Sequence, residues 1–441
     1  MKRSKSLLRV FAILAVVAVA FALRARAVAM LPVDYDEDDY LLAAQHYAQA
    51  LVEKNWGEII NYDYNYEHPP LPKLIYGLAL LPLPESAAIA DLPTSAAPAR
   101  SLPHPHVEFA RYTAAIIGVL EVLALALLTP LAAFFLAIDT WQIKYTSQIM
   151  LEPSPALTSV LAVLFYLKSD RKWNVWLASS AVALGLTAAG KYLYGVAGIA
   201  IAIDWLWATF PKDGIRARAV QWLSPVIGWG AVSLAVFFAA DPYLWPDPLG
   251  RLSHSVLYHG GYAATSVEVQ RANFPIWQPF VWLSGPVPWH PGVFLLTLDL
   301  FISLLAILGL RRLWRKQPVF VIWLIAALAF LLAWPVKWPQ YILILTAPLC
   351  AAAAEGFVER VWEPVAAWAR SASRGKQARA ELARSPRETR QSIPWLIPGL
   401  IMLSLITLFP LIYQGAMALT DFNAISIRDG INGGVWREVW L

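Results

Sequence analysis

A single cysteine, Cys350, occurs in 441 residues. That scarcity excludes an internal disulfide framework and any cysteine-rich metal site. Charge is scarce too. Only 15% of the residues are Asp, Glu, Lys or Arg and 58% are hydrophobic, whereas a soluble domain carries about 25% charge. A single water-soluble domain of this length is excluded, and so is disorder, which needs the opposite balance. The 35 basic and 30 acidic side chains leave a net charge of +5, too mild to argue for nucleic acid. There is no Gly-x-x-x-x-Gly-Lys-Ser/Thr loop, which argues against ATP drive. No solenoid period or long low-complexity tract is present, and 81–105 reads as a loose Pro/Ala/Ser loop.

What remains is apolar sequence with an aromatic trim. The 21 Trp and 17 Tyr are side chains that favour membrane interfaces. The first apolar run, 7–23, follows Lys2, Arg3 and Lys5 and is followed by Arg24 and Arg26 rather than a small-residue cleavage site. It reads as a retained first helix, because about 20 residues cross the roughly 30 Å of hydrocarbon. Further spans are expected at 106–128, 131–137, 155–167, 174–188, 192–210, 221–240, 293–310, 318–334, 341–358 and 394–413, the short runs 131–137 and 155–167 reading as tilted, broken or partly re-entrant. With eleven helices and a cytoplasmic N-terminus, the basic clusters at 168–172, 212–218, 311–316 and 360–390 all fall on the cytoplasmic side, as the positive-inside rule requires. The expected organisation is a membrane module over 1–358, a basic cytoplasmic linker over 359–393, and a last helix with an extracytoplasmic tail over 394–441. The linker reads as a solvated segment or a surface helix on anionic lipid. Segments 31–105 and 241–292 become extracytoplasmic loops.

The first of these loops is strongly acidic. Asp34, Asp36, Glu37, Asp38 and Asp39 follow directly on the first helix, and Lys54 and Lys73 are the only Lys or Arg between 31 and 91. Carboxylates so near the lipid boundary must be solvated, paired or used. Leu41, Ala44, Tyr47, Ala48 and Leu51 share one helical face, so an interfacial amphipathic helix is expected with the acids at its start. The segment Tyr62-Asp63-Tyr64-Asn65-Tyr66-Glu67 then leads into His68-Pro69-Pro70-Leu71-Pro72-Lys73. Its prolines hold the backbone extended, its tyrosines suit a sugar face or the headgroup layer, and Lys73 suits a phosphate or snorkels.

Asp36-Glu37 followed by Glu67-His68-Pro69-Pro70-Leu71-Pro72-Lys73 resembles the protein O-mannosyltransferases of glycosyltransferase family 39 and their relatives, which include the lipid A aminoarabinose transferases. Arg111-Tyr112-Thr113, the loop from Ile138 to Ser147, Asp241-Pro242-Tyr243 and Lys337-Trp338-Pro339-Gln340-Tyr341 continue the likeness over about residues 10–350. Glu152 stands where family members often carry Asp. There is no counterpart of the inserted β-trefoil, and the resemblance leaves a soluble C-terminal portion unaccounted for after Leu441.

The resemblance implies an all-α GT-C helix bundle of about eleven transmembrane helices, with interfacial helices in the first extracytoplasmic loop. It implies inverting transfer of a hexose-type, mannose-like sugar from a polyprenyl phosphate to an extracytoplasmic hydroxyl of a glycan, lipid or protein acceptor. Asp36 and Glu37 are then the candidates for the base, the choice between them being open. Arg111 is expected to hold the donor phosphate or to pair with Glu37, and Lys191, Lys337 and Lys73 are further phosphate candidates. Glu67, His68, Asp139, Glu152 and His259 are expected near substrate, with His254 and His290 as further acceptor-side histidines. Asp139, Lys144 and Glu152 also read as mutual ion pairs. A divalent ion on Asp36, Glu37 and Glu152 is compatible with hard-ligand chemistry, though no metal is assigned. The competing reading is a multi-pass transporter or lipid flippase, but the charges gather at one face and no internal symmetry is visible.

Overall fold

A computed structural model of the chain describes residues 2–84, 104–211, 215–287, 293–294 and 297–370. The expected span at 394–413, the linker beyond residue 370, the tail and His290 lie outside the described residues. Seventeen α-helices form the described part, with no strand among them. The first is α1 (Lys2–Met30). Three short helices follow: α2 (Glu37–Val52), α3 (Trp56–Asn61) and α4 (Leu71–Leu80). The bundle continues with α5 (His104–Leu128), α6 (Pro130–Ile138), α7 (Thr140–Tyr145), α8 (Pro153–Lys168), α9 (Val175–Gly190), α10 (Val196–Ala208) and α11 (Ile215–Ala239). A second group of short helices comprises α12 (Pro248–Thr265), α13 (Val267–Ala272) and α14 (Gln278–Ser284). Three long helices, α15 (Asp299–Lys316), α16 (Pro318–Ala333) and α17 (Leu343–Phe357), complete it.

The bundle is built for lipid. Phe11, Ile227 and Ile307 point outward, while Ala20, Ala27, Ala110 and Ala114 are fully buried. Large apolar residues outside and small ones at helix contacts suit a bilayer, where close van der Waals packing holds helices together. Leu7–Met30, Pro105–Leu128, Ala219–Ala239 and Pro339–Arg370 are each long and apolar enough to cross a membrane. Several shorter apolar helices pack between them. The chain is a multi-pass membrane protein. The run expected at 131–137 forms α6, whose nine residues rise only about 14 Å at 1.5 Å each. It cannot cross the bilayer alone, and Pro130 at its start separates it from α5.

The first loop folds as its pattern predicts. Tyr40, Leu41, Ala44 and Tyr47 form the buried stripe of α2, which packs against α4. Gly77 permits that approach, since a Cβ there would lie 2.8 Å from the Ala44 carbonyl. Arg251 of α12 donates to the Ile60 carbonyl and to Asn61 Oδ1 at the end of α3, so the two groups of short helices are tied together. The turns after α1, α7, α9 and α16 meet these short helices at one end of the bundle.

Candidate active site

A cavity of about 560 Å³ opens at that end. Asp36 lines it from the start of α2, Lys144 and Tyr145 from α7, Lys191 from the end of α9, and His259 and Tyr262 from α12. A second, apolar groove of about 340 Å³ runs beside it between α10 and α16, with Val196, Ile199, Ala326 and Phe330 in its walls. His68, Lys191, His259 and Tyr341 line both spaces.

The expected Asp36–Glu37 pair is separated by the fold. Asp36 sits at the N-cap of α2 but makes no side-chain cap bond, and its carboxylate reaches the cavity. Burial, with Glu152, Asp34 and Asp39 nearby, pushes its pKa up to about 7 against the opposing pull of Lys191. Glu37 is fully buried and is absent from the cavity wall. It meets Arg111 through both oxygens, at 2.8 and 2.5 Å, and accepts from the amides of Ile149 at 2.7 Å and Asp34 at 2.8 Å. Arg111 also donates to the carbonyls of Val28, Leu31 and Pro32. The pair clamps the end of α1 to α5 and to the turn after α7. A guanidinium so fully engaged has no donor left for a phosphate.

Two other expected phosphate ligands lie elsewhere. Lys73 is buried and donates to the carbonyls of Asn65 and His68, bracing the turn before α4. Lys337 donates to the carbonyls of Leu331, Leu332 and Trp334, closing the C-terminal end of α16. Lys191 alone of the named phosphate candidates faces the cavity. It pairs with Glu152 behind it, and its ammonium lies 5.0 Å from the centre of the Tyr341 ring.

Glu67, His68 and His259 come together at the cavity, whereas Asp139 does not. His68 and His259 have ring centres 5.4 Å apart, and His259 Nε2 lies 3.2 Å from the Glu67 carbonyl. Burial lowers the pKa of both histidines, and nearby Lys191 lowers them further. Burial raises that of Glu67. Asp139 is buried, caps α7 through the Gln142 amide at 2.9 Å, and is absent from the cavity wall. Asp139, Lys144 and Glu152 do not pair with one another: Lys144 meets Asp34 at 2.7 Å and Glu152 meets Lys191. Asp36, Glu37 and Glu152 form no metal shell, because Glu37 is engaged by Arg111 and Glu152 by Lys191. Among the described residues no group of three His, Cys, Asp or Glu could hold a metal ion.

The tyrosines of the 62–66 segment are mostly engaged outside the cavity. Tyr62 stacks on His46 at 3.8 Å and Tyr66 on His254 at 4.3 Å, while Tyr64 donates to Asp39. The aromatic surface of the cavity comes instead from Tyr35, Tyr40, Tyr145, Tyr258, Tyr262, Phe274, Trp282, Trp338 and Tyr341. The sequence pattern gives Tyr258, Tyr262, Phe274 and Trp282 no role, and Lys144 only an ion-pairing one. The close spacing of Tyr258 and Tyr262 was the available sign, since positions four apart share a helix face.

The described helices and this site define a GT-C membrane fold. The chain is similar to the solved structure of ArnT from Cupriavidus metallidurans in the apo state, with a TM-score of 0.52 and 16% identity over 85% of this chain and 65% of that one. It is also similar to ArnT from Cupriavidus metallidurans bound to undecaprenyl phosphate, with a TM-score of 0.49 and 15% identity over 86% and 66%. The chain thus spans about two thirds of the length of the protein it resembles. No protein-family profile matches it, and a search of curated proteins finds no match.

Proposed function

We propose that the chain is a membrane glycosyltransferase that moves a hexose-type, mannose-like sugar from a polyprenyl phosphate to an extracytoplasmic acceptor hydroxyl, with inversion. One observation carries this reading: an apolar groove and a polar cavity meet at Lys191, His68, His259 and Tyr341. A donor with a hydrocarbon tail, a single phosphate and a sugar needs that sequence of surroundings. The isoprenoid takes the groove along Ile199 and Phe330. The phosphate takes the junction, and the sugar projects toward Asp36.

In the reaction, Asp36 accepts the acceptor hydroxyl proton as that oxygen attacks the anomeric carbon. The bond from that carbon to the phosphate oxygen breaks, and the phosphate keeps the electron pair. The negative charge on the phosphate grows from one to two, and Lys191 stabilises it. Neutral His68 has one N–H with which to hold the same phosphate, whereas that of His259 is given to the Glu67 carbonyl. Glu37 and Arg111 position Asp36 by fixing the start of α2, and Glu152 positions Lys191.

Purified protein in lipid nanodiscs is the test, with labelled polyprenyl-phosphate hexoses as donors and release of polyprenyl phosphate as the readout. Turnover in the wild type, with Asp36→Asn inactive but still binding donor, is the expected result. Equal turnover in Asp36→Asn removes the base assignment. Absence of turnover with every donor removes the reading.

A further inference from the structure

The half of the cavity away from the groove is not needed to bind a lipid-linked sugar. Its walls are Tyr35, Tyr262, Phe274, Trp282 and Trp338, with the exposed Glu268 beside Tyr35. The rings are held in place by one another. Phe274 stands edge-on to Trp282 at 5.5 Å and to Trp338 at 5.9 Å, and Trp282 Nε1 donates to the Lys337 carbonyl at 3.0 Å. Tyr262 stacks on Tyr258 at 6.1 Å with their planes 14° apart. Rings fixed in advance lose little freedom when a ligand docks.

The charge of this half narrows the ligand further. Of the two lysines that line the cavity, Lys191 stands at the donor junction and Lys144 faces Asp34. Asp36, Asp39, Glu67 and Glu268 also line the cavity. A phosphorylated acceptor would meet repulsion there. A neutral polyol suits both kinds of wall, since its C–H faces lie on aromatic rings and its hydroxyls donate to carboxylates. Glu268 is ready to accept: Tyr35 donates to Oε1 at 3.1 Å and Ser266 to Oε2 at 2.8 Å, which leaves each oxygen a further lone pair. Asp36 lines the same cavity as both Lys191 and Tyr262.

Resting on the glycosyl-transfer reading, we infer that the acceptor is an uncharged carbohydrate, seated with its C–H faces on Tyr262 and Trp338 and a hydroxyl on Glu268. The reacting hydroxyl then points at Asp36, and the product is a glycoside of that sugar.

The test uses the full chain in nanodiscs, labelled polyprenyl-phosphate mannose or glucose, and three acceptor classes: neutral oligosaccharides, a Ser/Thr-rich peptide and a phosphorylated glycolipid. The expected result is polyprenyl phosphate release that depends on the neutral oligosaccharide. Tyr262→Ala and Trp338→Ala should each raise its KM on the order of tenfold, and Glu268→Gln should raise it too. Retained binding of labelled donor by these variants shows that they are folded and that the effect lies on the acceptor side. Faster transfer to the peptide or the glycolipid overturns the inference, as does an unchanged KM in all three variants; in either case the glycosyl-transfer reading survives. If no acceptor supports release, that reading fails and this one with it.

Discussion

Asp36 and Glu37 are neighbours with opposite fates, because a helix turns its side chains by about 100° per residue. The turn that leaves Asp36 at the cavity carries Glu37 into the clamp with Arg111. The sequence marked both acids and could not choose between them, since the choice depends on a partner 74 positions away. Two predictions separate the roles. With the Asp36 pKa raised to about 7, the base form is lost as pH falls, so kcat/KM should drop about tenfold per unit below pH 7 and level off above it. The same shift makes the folded state hold the Asp36 proton more tightly than the unfolded chain does. Stability from that proton is complete below about pH 4 and is lost as pH rises through about 7. Asp36→Asn should therefore raise Tm at pH 8, with the gain vanishing near pH 4. Glu37→Gln removes one member of a buried ion pair, a change that costs about 3–5 kcal/mol. It should lower Tm at every pH from 5 to 8 and, unlike Asp36→Asn, weaken donor binding.

At the scale of elements, helix contacts depend on single small residues that hydropathy does not weigh. The α15–α17 crossing has Gly309 against Gly356. A Cβ on Gly309 would lie 1.9 Å from the Ala352 carbonyl, and one on Gly356 would lie 2.0 Å from that of Leu305. The two backbones touch, so neither helix can yield without moving the other. The turn before Lys337 is fixed by this bundle, and Trp338 and Tyr341 on the cavity wall follow it. Gly309→Leu should therefore lower Tm by several degrees and weaken donor binding, although the residue lies on the helix far from the site. An unchanged Tm in a thermal-shift measurement would show that the crossing relaxes easily. The stripe of α2 was legible because its period matches a helix, and so were the long apolar runs. The break within 106–137 was legible too, and Pro130 stands at it, opening a helix too short to span. Lys73 and Lys337 were misplaced because a lysine near a helix end looks the same in sequence whether it faces a ligand or closes a carbonyl row.

For the molecule as a whole, composition made the membrane bundle legible and the residue motifs pointed to its GT-C class. What lay beyond them was the joining of the two cavities, which requires the ends of α9 and α16 to meet α12. That junction is the feature a lipid-linked donor would use, and Gly195 tests it. The residue lines the groove, has φ −55° and has nothing within 4 Å of the position a Cβ would take. A larger side chain there is sterically free and needs no left-handed backbone, so Gly195→Phe should fold as the wild type does. Its ring would fill the groove while leaving the phosphate junction and the Asp36 cavity intact. Each methylene displaced from an apolar site forfeits about 0.8 kcal/mol, so the loss grows with the length of tail excluded. For a long-chain polyprenyl-phosphate sugar, KM should rise on the order of ten- to a hundredfold. A short-chain donor, whose tail hardly enters the groove, should keep its KM within about twofold. Equal effects on both donors would mean that the tail runs elsewhere, and the groove between α10 and α16 would then have no part in donor binding.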